Sequence, residues 1–206
     1  NLSQVKLDFD KALSIGECDR LRELKIRTLN STIDLPFNSK NIAFLDDVPQ
    51  TVFPIYFVSA VPLESQKMLN EKFGNLRNEY SASEAVGILL NFVQRAFDYK
   101  TDADQFGREK YFYPEESFAY PYCDCEDRSI FYSYLVRELL GLDVLLVGYP
   151  GHECTAVALP QAPTIYTSFI YESKTYYICD PTYMGADIGM CMPDYVNMIP
   201  KIEEWY

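Results

Sequence analysis

The run from Asp124 to Gly141, DCEDRSIFYSYLVRELLG, decides how the rest of the chain is read. Asp124 is a good helix N-cap. Apolar residues then recur at Ile130, Phe131, Tyr134, Leu135 and Leu139, one face of a helix over 125–140, and Gly141 supplies the stop. The spacing therefore places Cys125 in the first turn. Unpaired backbone N–H groups and the positive end of the helix dipole favour an anion there. A thiol so placed is expected to ionise more readily, and the thiolate is the nucleophile.

After this helix the chain changes character. DVLLVGY (143–149), ECTAVAL (153–159), IYTSFIY (165–171) and KTYYICD (174–180) read as strands separated by Pro, Gly and Ser turns. Before it, helices are expected over 63–76 and 83–99, the second opened by SASE at 81–84. Residues 101–122 show no clear period and read as a long acidic, aromatic loop. Helices first and strands after predict an α+β domain with helices packed on an antiparallel sheet. Residues 1–62 read as an N-terminal segment or small subdomain packed on a core of 63–206. In it, 5–9 and 51–61 are expected to be extended, and 18–29 a short helix.

Composition narrows the function classes. The chain has 206 residues, long enough for a sizeable core, and 48% of them are hydrophobic. Its net charge of −12 argues against nucleic acid as a partner. No apolar run reaches the roughly 18 residues of a membrane span. Six cysteines are too sparse for a small disulfide scaffold.

His152 is the one histidine, in YPGHE between two predicted strands. A cysteine nucleophile needs a base, and the base needs a carboxylate to orient it. Asp180, ending the strand YYIC before Pro181, can fill that place. Asp127 reads as a capping group, and Glu126 and Arg128 as solvent-facing or salt-bridged residues of the rim. Cys154 and Cys179 read as core strand positions. A zinc set of Cys123, Cys125, His152 and Cys154 is disfavoured, because C-x-C is not a usual knuckle spacing, so no metal and no cofactor is expected. DYKTDAD (98–104) reads as a solvated acidic loop rather than a calcium loop. YFYP (111–114) reads first as packing, with a cleft wall as the functional alternative.

The segments DCEDRSIFYSYLVRELLGLDV, GYPGHECTAVAL and YYICDPTYMGA resemble the transglutaminase-like superfamily, a bacterial-type branch of the papain-like cysteine enzymes. The resemblance covers roughly residues 84–190. It implies a transglutaminase-like fold in which Cys125 is the nucleophile, His152 the base and Asp180 the orienting carboxylate. It further implies acyl transfer on a peptide or protein amide, as protease, amidase or transglutaminase, and a bacterial envelope, periplasmic or secreted setting. The alternative is a binding or structural module that keeps the fold without turnover. Where the family has glycine two residues before the nucleophile, this chain has Cys123, which could pair with Cys125 or guard it. For the oxyanion hole, Gln105 is the candidate donor, with Tyr120 or Tyr122 as alternatives and the backbone N–H of Cys125 as the second donor.

Overall fold

A computed structural model describes residues 16–160 and 167–203. It is α+β, with helices in the first two thirds and an antiparallel sheet after them. The expected extended segment at 5–9 lies outside the described residues, as does the start of the strand expected at 165–171.

The N-terminal part departs most from the sequence reading. Strand β1 (Arg20–Ile26) stands where a helix was expected, and pairs along its length with β2 (Ser31–Phe37). Leu24 and Ile26 turn inward while Lys25 turns out, a period of two that a strand satisfies and a helix does not. Asn30 closes the hairpin at φ +44, a left-handed conformation that Asn tolerates. Helix α1 (Ser39–Asp47) begins at Asn38, whose side chain accepts from the backbone N–H groups of Lys40 and Asn41. The segment 51–61, expected to be extended, contains α2 (Phe53–Val58). Pro54 sits in its first turn, where a missing N–H leaves no bond unmade.

Helices α3 (Leu63–Phe73), α4 (Leu76–Glu79) and α5 (Ala82–Ala96) follow, α5 opened by a capping box between Ser81 and Glu84. The stretch read as one long loop carries two short helices, α6 (Asp102–Phe106) and α7 (Glu116–Ala119). Helix α8 (Cys125–Leu135) runs on through a π-helical turn over Val136–Leu140 and stops at Gly141, at φ +67. Asp124 and Asp127 form its capping box.

Strands β3 (Val144–Tyr149), β4 (His152–Ala158), β5 (Ser168–Tyr171), β6 (Lys174–Cys179) and β7 (Lys201–Ile202) make one antiparallel sheet in the order β5-β6-β4-β3-β7. Pro150 and Gly151, the latter at φ +73, join β3 to β4 and put His152 opposite Tyr149. Proline followed by a positive-φ glycine is the requirement of a type II turn.

The sheet has two apolar faces. Val157 and Cys179 face the larger core, with Phe92 and Val93 of α5, Phe131 and Leu135 of α8, and Leu24, Ile26, Ile33 and Leu35 of the hairpin. Burying each such side chain contributes about 1.5–3 kcal/mol. Val147, Tyr149, Cys154, Ala156, Tyr176 and Ile178 form the smaller cluster, against which Cys191 and Tyr195 pack. No helix among the described residues is long and apolar enough to cross a membrane.

Candidate functional site

Three elements carry the predicted residues, and a direct contact joins two of them, His152 and Asp180. Cys125 opens α8, His152 opens β4, and Asp180 follows β6, which pairs with β4. His152 Nε2 lies 2.8 Å from Asp180 Oδ2, with both side chains buried. The other oxygen, Oδ1, accepts from the backbone N–H groups of Thr182 (2.8 Å) and Tyr183 (3.1 Å). Those two bonds set the carboxylate so that Oδ2 faces the imidazole. With Nε2 committed to Asp180, Nδ1 is the nitrogen left for proton transfer.

The turn after Asp180 is gripped from α5. Gln94 Nε2 donates toward the carbonyls of Asp180, Tyr183 and Ala186 at 3.0–3.1 Å, and its Oε1 accepts from Gly185 N–H. On its open side His152 stacks on Tyr195, with centroids 5.6 Å apart and planes 5° from parallel. Tyr195 also stacks on Tyr149 and donates to Pro150 O.

The helix that Cys125 opens is tied to the peptide next to His152: Ser129, one helical turn on from Cys125, donates to the Glu153 carbonyl at 3.3 Å. The start of α8 is thereby pinned to the first residues of β4.

The thiol does not have the character that its helix position suggests. Cys125 Sγ donates to Glu126 Oε2 at 2.8 Å, and no hydrogen bond among the described residues joins it to His152. Burial pushes the thiol well above its ordinary range, and the charge and hydrogen bond of Glu126 push it further. The Glu153 N–H opposes this and is outweighed. The expectation of an easily ionised thiol is therefore corrected. Desolvation and an adjacent carboxylate outweigh a dipole worth about 0.3–1 kcal/mol.

Other carboxylates crowd the same side. Donor oxygens of Asp102, Asp124 and Asp127 lie within 4.8 Å of one another, all buried. Backbone donors hold them: Lys110 N–H on Asp102, Phe112 N–H and Asp124 N–H on Asp127, and Asp127 N–H on Asp124. Burial raises Asp102 to about 6. It also drives Asp124 and Asp127 upward, with the charges of Glu126 and Asp102 adding to it at Asp124 and those of Asp124 and Asp102 at Asp127. The sequence reading of 98–104 as a solvated loop fails at Asp102. Glu153, whose carboxylate lies over Gly148, is raised to about 7 by burial and by Glu203 and Glu126. A Cβ at Gly148 would meet Glu153 Oε1 at 2.6 Å, so a larger residue there would push the carboxylate aside.

Arg128 is not on a solvated rim. It is buried, and its guanidinium donates to the carbonyls of Cys123, Gln94 and Phe97. Two of those carbonyls belong to the end of α5, where helical carbonyls lack partners. Glu126 is half-buried and bonded to the thiol rather than ion-paired.

Cys123 and Cys125 are both free thiols, and Cys123 is sealed in the larger core. Neither the pairing nor a guarding contact between them forms. The disfavoured zinc quartet does not assemble either: Cys123 is in the larger core while Cys154 is in the smaller cluster. Gln105 lies on α6 with its Nε2 buried and without a hydrogen-bond partner. Tyr120 packs on Phe106 and Phe112, and Tyr122 lies under Lys100. No contact joins any of the three to Cys125. Tyr111 and Tyr113 pack on Tyr56, and Phe112 is in the core, so 111–114 is mainly packing. Two clefts, of 330 and 470 Å³, open elsewhere, the first beside Val144–Leu146 and the second beside Cys18 and Asn38. Neither is lined by Cys125, His152 or Asp180.

Tyr195, Gln94 and Glu153 escaped the sequence reading, and Glu126 was read only as a rim charge. Gln94 is the one polar residue among the buried residues of α5. Compared with known proteins, the chain matches no family model, and neither characterised proteins nor solved structures give a significant match.

Proposed function

We propose that this chain is a cysteine-dependent acyl-transfer enzyme of transglutaminase-like, papain-related architecture, acting on a peptide or protein amide. The observation that carries the reading is the His152–Asp180 contact, with Cys125 in the first turn of α8, a helix that Ser129 ties to the residue after His152.

In this mechanism the Cys125 proton passes to His152 Nδ1 while Asp180 stabilises the resulting imidazolium through Nε2. The thiolate attacks the amide carbonyl and the C–N bond breaks. The departing nitrogen takes the proton from Nδ1, leaving a thioester on Cys125. Water, activated by the now neutral imidazole, adds to the thioester carbonyl and the thiol leaves, restoring Cys125. Water is the default acceptor, because no amine-binding group is identified beside Cys125. The Cys125 backbone N–H at the helix end is one oxyanion donor, and Gln105 becomes the second if α6 brings its unpartnered amide to the thiol.

A second reading has its own support. The protonated, Glu126-bonded thiol suits a module that keeps the fold without turnover. Labelling with a peptidyl vinyl sulfone separates the two. A catalytic Cys125 labels faster than Cys18 in the same chain, and His152→Ala slows it at least tenfold. Labelling at an unchanged rate in His152→Ala sinks the enzyme reading.

A further inference from the structure

The same imidazole and carboxylate have a third neighbour that the acyl-transfer reading leaves idle. Cys154 lies two residues beyond His152 on β4, on the same face of the sheet. One donor atom from each of His152, Cys154 and Asp180 lies within 4.8 Å of the others, and all three residues are buried. Cys191 packs against the same cluster and donates to Tyr149 Oη at 3.7 Å. The charge of Asp180 reaches both thiols.

We propose that His152, Cys154 and Asp180 bind one thiophilic divalent cation of the Zn2+ class, with Cys191 the nearest further thiol for a fourth position, and that the ion closes the acyl-transfer site by occupying its imidazole.

The donor set selects the ion class. Thiolate, imidazole and carboxylate together suit Zn2+, whereas Mg2+ and Ca2+ take oxygen ligands. Tetrahedral zinc at about 2.0–2.3 Å from each donor sets neighbouring donors roughly 3.3–3.8 Å apart. Donors that lie no more than 4.8 Å apart therefore draw in by at most about 1.3 Å, while the 2.8 Å His152–Asp180 contact opens by roughly 0.5 Å. Charge also closes: a dication with one thiolate and one carboxylate leaves a neutral buried unit, so no uncompensated charge is buried. The bonds from Thr182 and Tyr183 to Oδ1 orient the carboxylate from behind, as outer-shell donors do at metal sites.

On binding, Cys154 loses its proton to solvent and an S–metal bond forms. The imidazole proton on Nε2 moves to Nδ1 as Nε2 takes the metal. One proton is released in all. An Nδ1 that carries a proton cannot accept one from Cys125. This inhibitory effect rests on the acyl-transfer reading; the binding itself does not.

The test uses the reduced full chain without substrate, titrated with Co2+ as a spectroscopic probe. One equivalent is expected to give a thiolate-to-cobalt charge-transfer band, lost when Zn2+ displaces it. Cys154→Ser should weaken cobalt binding by roughly 10–100-fold. Cys18→Ser and Cys123→Ser should leave the band intact. Cys154→Ala replaces the serine variant if that variant loses its cooperative melt. Absence of the band in the unaltered chain, or a band that survives loss of Cys154, overturns the site. In parallel, Zn2+ should slow vinyl sulfone labelling of Cys125 at least tenfold, and only while Cys154 is present. A cobalt band beside a Cys125 that never labels leaves the ion site standing and removes only the catalytic reading.

Discussion

The two halves of the candidate site are built in opposite ways. On the sheet side, Asp180 has both oxygens assigned, Oδ1 to two backbone donors and Oδ2 to His152, and its turn is held by Gln94. On the helix side, Cys125 meets Glu126 directly and three buried aspartates crowd close behind it. The sheet half holds its imidazole against a positioned carboxylate. The helix half disfavours a charged sulfur. A positioned imidazole and a protonated thiol thus stand on neighbouring elements, and on the proposed acyl-transfer reading the thiol sets the resting state.

The strongest way to break the contrast is through the strut that the halves share. The end of α5 serves both: Gln94 grips the Asp180 turn with its side chain, while its backbone carbonyl and that of Phe97 take the Arg128 guanidinium. Arg128→Met keeps much of the volume but strands three buried carbonyls. Each unsatisfied buried acceptor costs about 1–3 kcal/mol, so a loss of at least about 3 kcal/mol is expected from urea unfolding. A midpoint within experimental error of the parent would show that water satisfies those carbonyls and that the strut is dispensable.

The pH dependence of stability probes the raised carboxylates, Asp102, Asp124 and Asp127 on the helix side and Glu153 at the start of β4. Asp102 is raised to about 6 and Glu153 to about 7, and Asp124 and Asp127 move in the same direction. A raised carboxylate binds its proton more tightly in the folded chain than in the unfolded one. Its stabilisation is complete below the unfolded value near 4 and is lost as pH rises through 6 to 7. The chain should therefore be more stable at pH 5 than at pH 8, by roughly 2 kcal/mol once solvent access to Glu153 is discounted. Asp102→Asn should flatten part of that slope. Stability that climbs between pH 5 and pH 8 would contradict the crowded-carboxylate description.

The contrast also explains what the sequence could convey. Cys125, His152 and Asp180 were legible because each stands at an element boundary with a local signature: a capping box, a Pro-Gly turn and an Asp-Pro strand end. The α5 and α8 helices were legible from their apolar faces. The β1–β2 hairpin was not, because RLRELKI has few apolar residues and its alternation acquires meaning only beside β2 and α5. Pro54 suggested an edge strand at 51–61, although a first helical turn accepts it equally. Arg128 read as a rim charge because the free carbonyls that bind it lie on another helix. Tyr195 reaches His152 from a distant loop with no periodicity to announce it. Glu126 was read by its hydrophilicity, yet its importance comes from one contact with sulfur.

That contact gives the smallest and most discriminating change. Burial is the leading reason that the Cys125 thiol stays protonated, and it persists in any Glu126 variant. The charge and the hydrogen bond of Glu126 come next, and Glu126→Gln removes the charge while keeping an amide of similar shape. The thiol should then titrate lower than in the parent while remaining above an ordinary cysteine. A thiol pKa lower by about one gives a tenfold larger thiolate fraction, so labelling of Cys125 at pH 7 should rise by roughly tenfold. The rate for Cys18 should not change, because Glu64 is its neighbour. If Glu126 instead helps to draw the proton away during turnover, labelling would fall in Glu126→Gln. The helix half would then be a second proton-handling unit rather than a brake on the first.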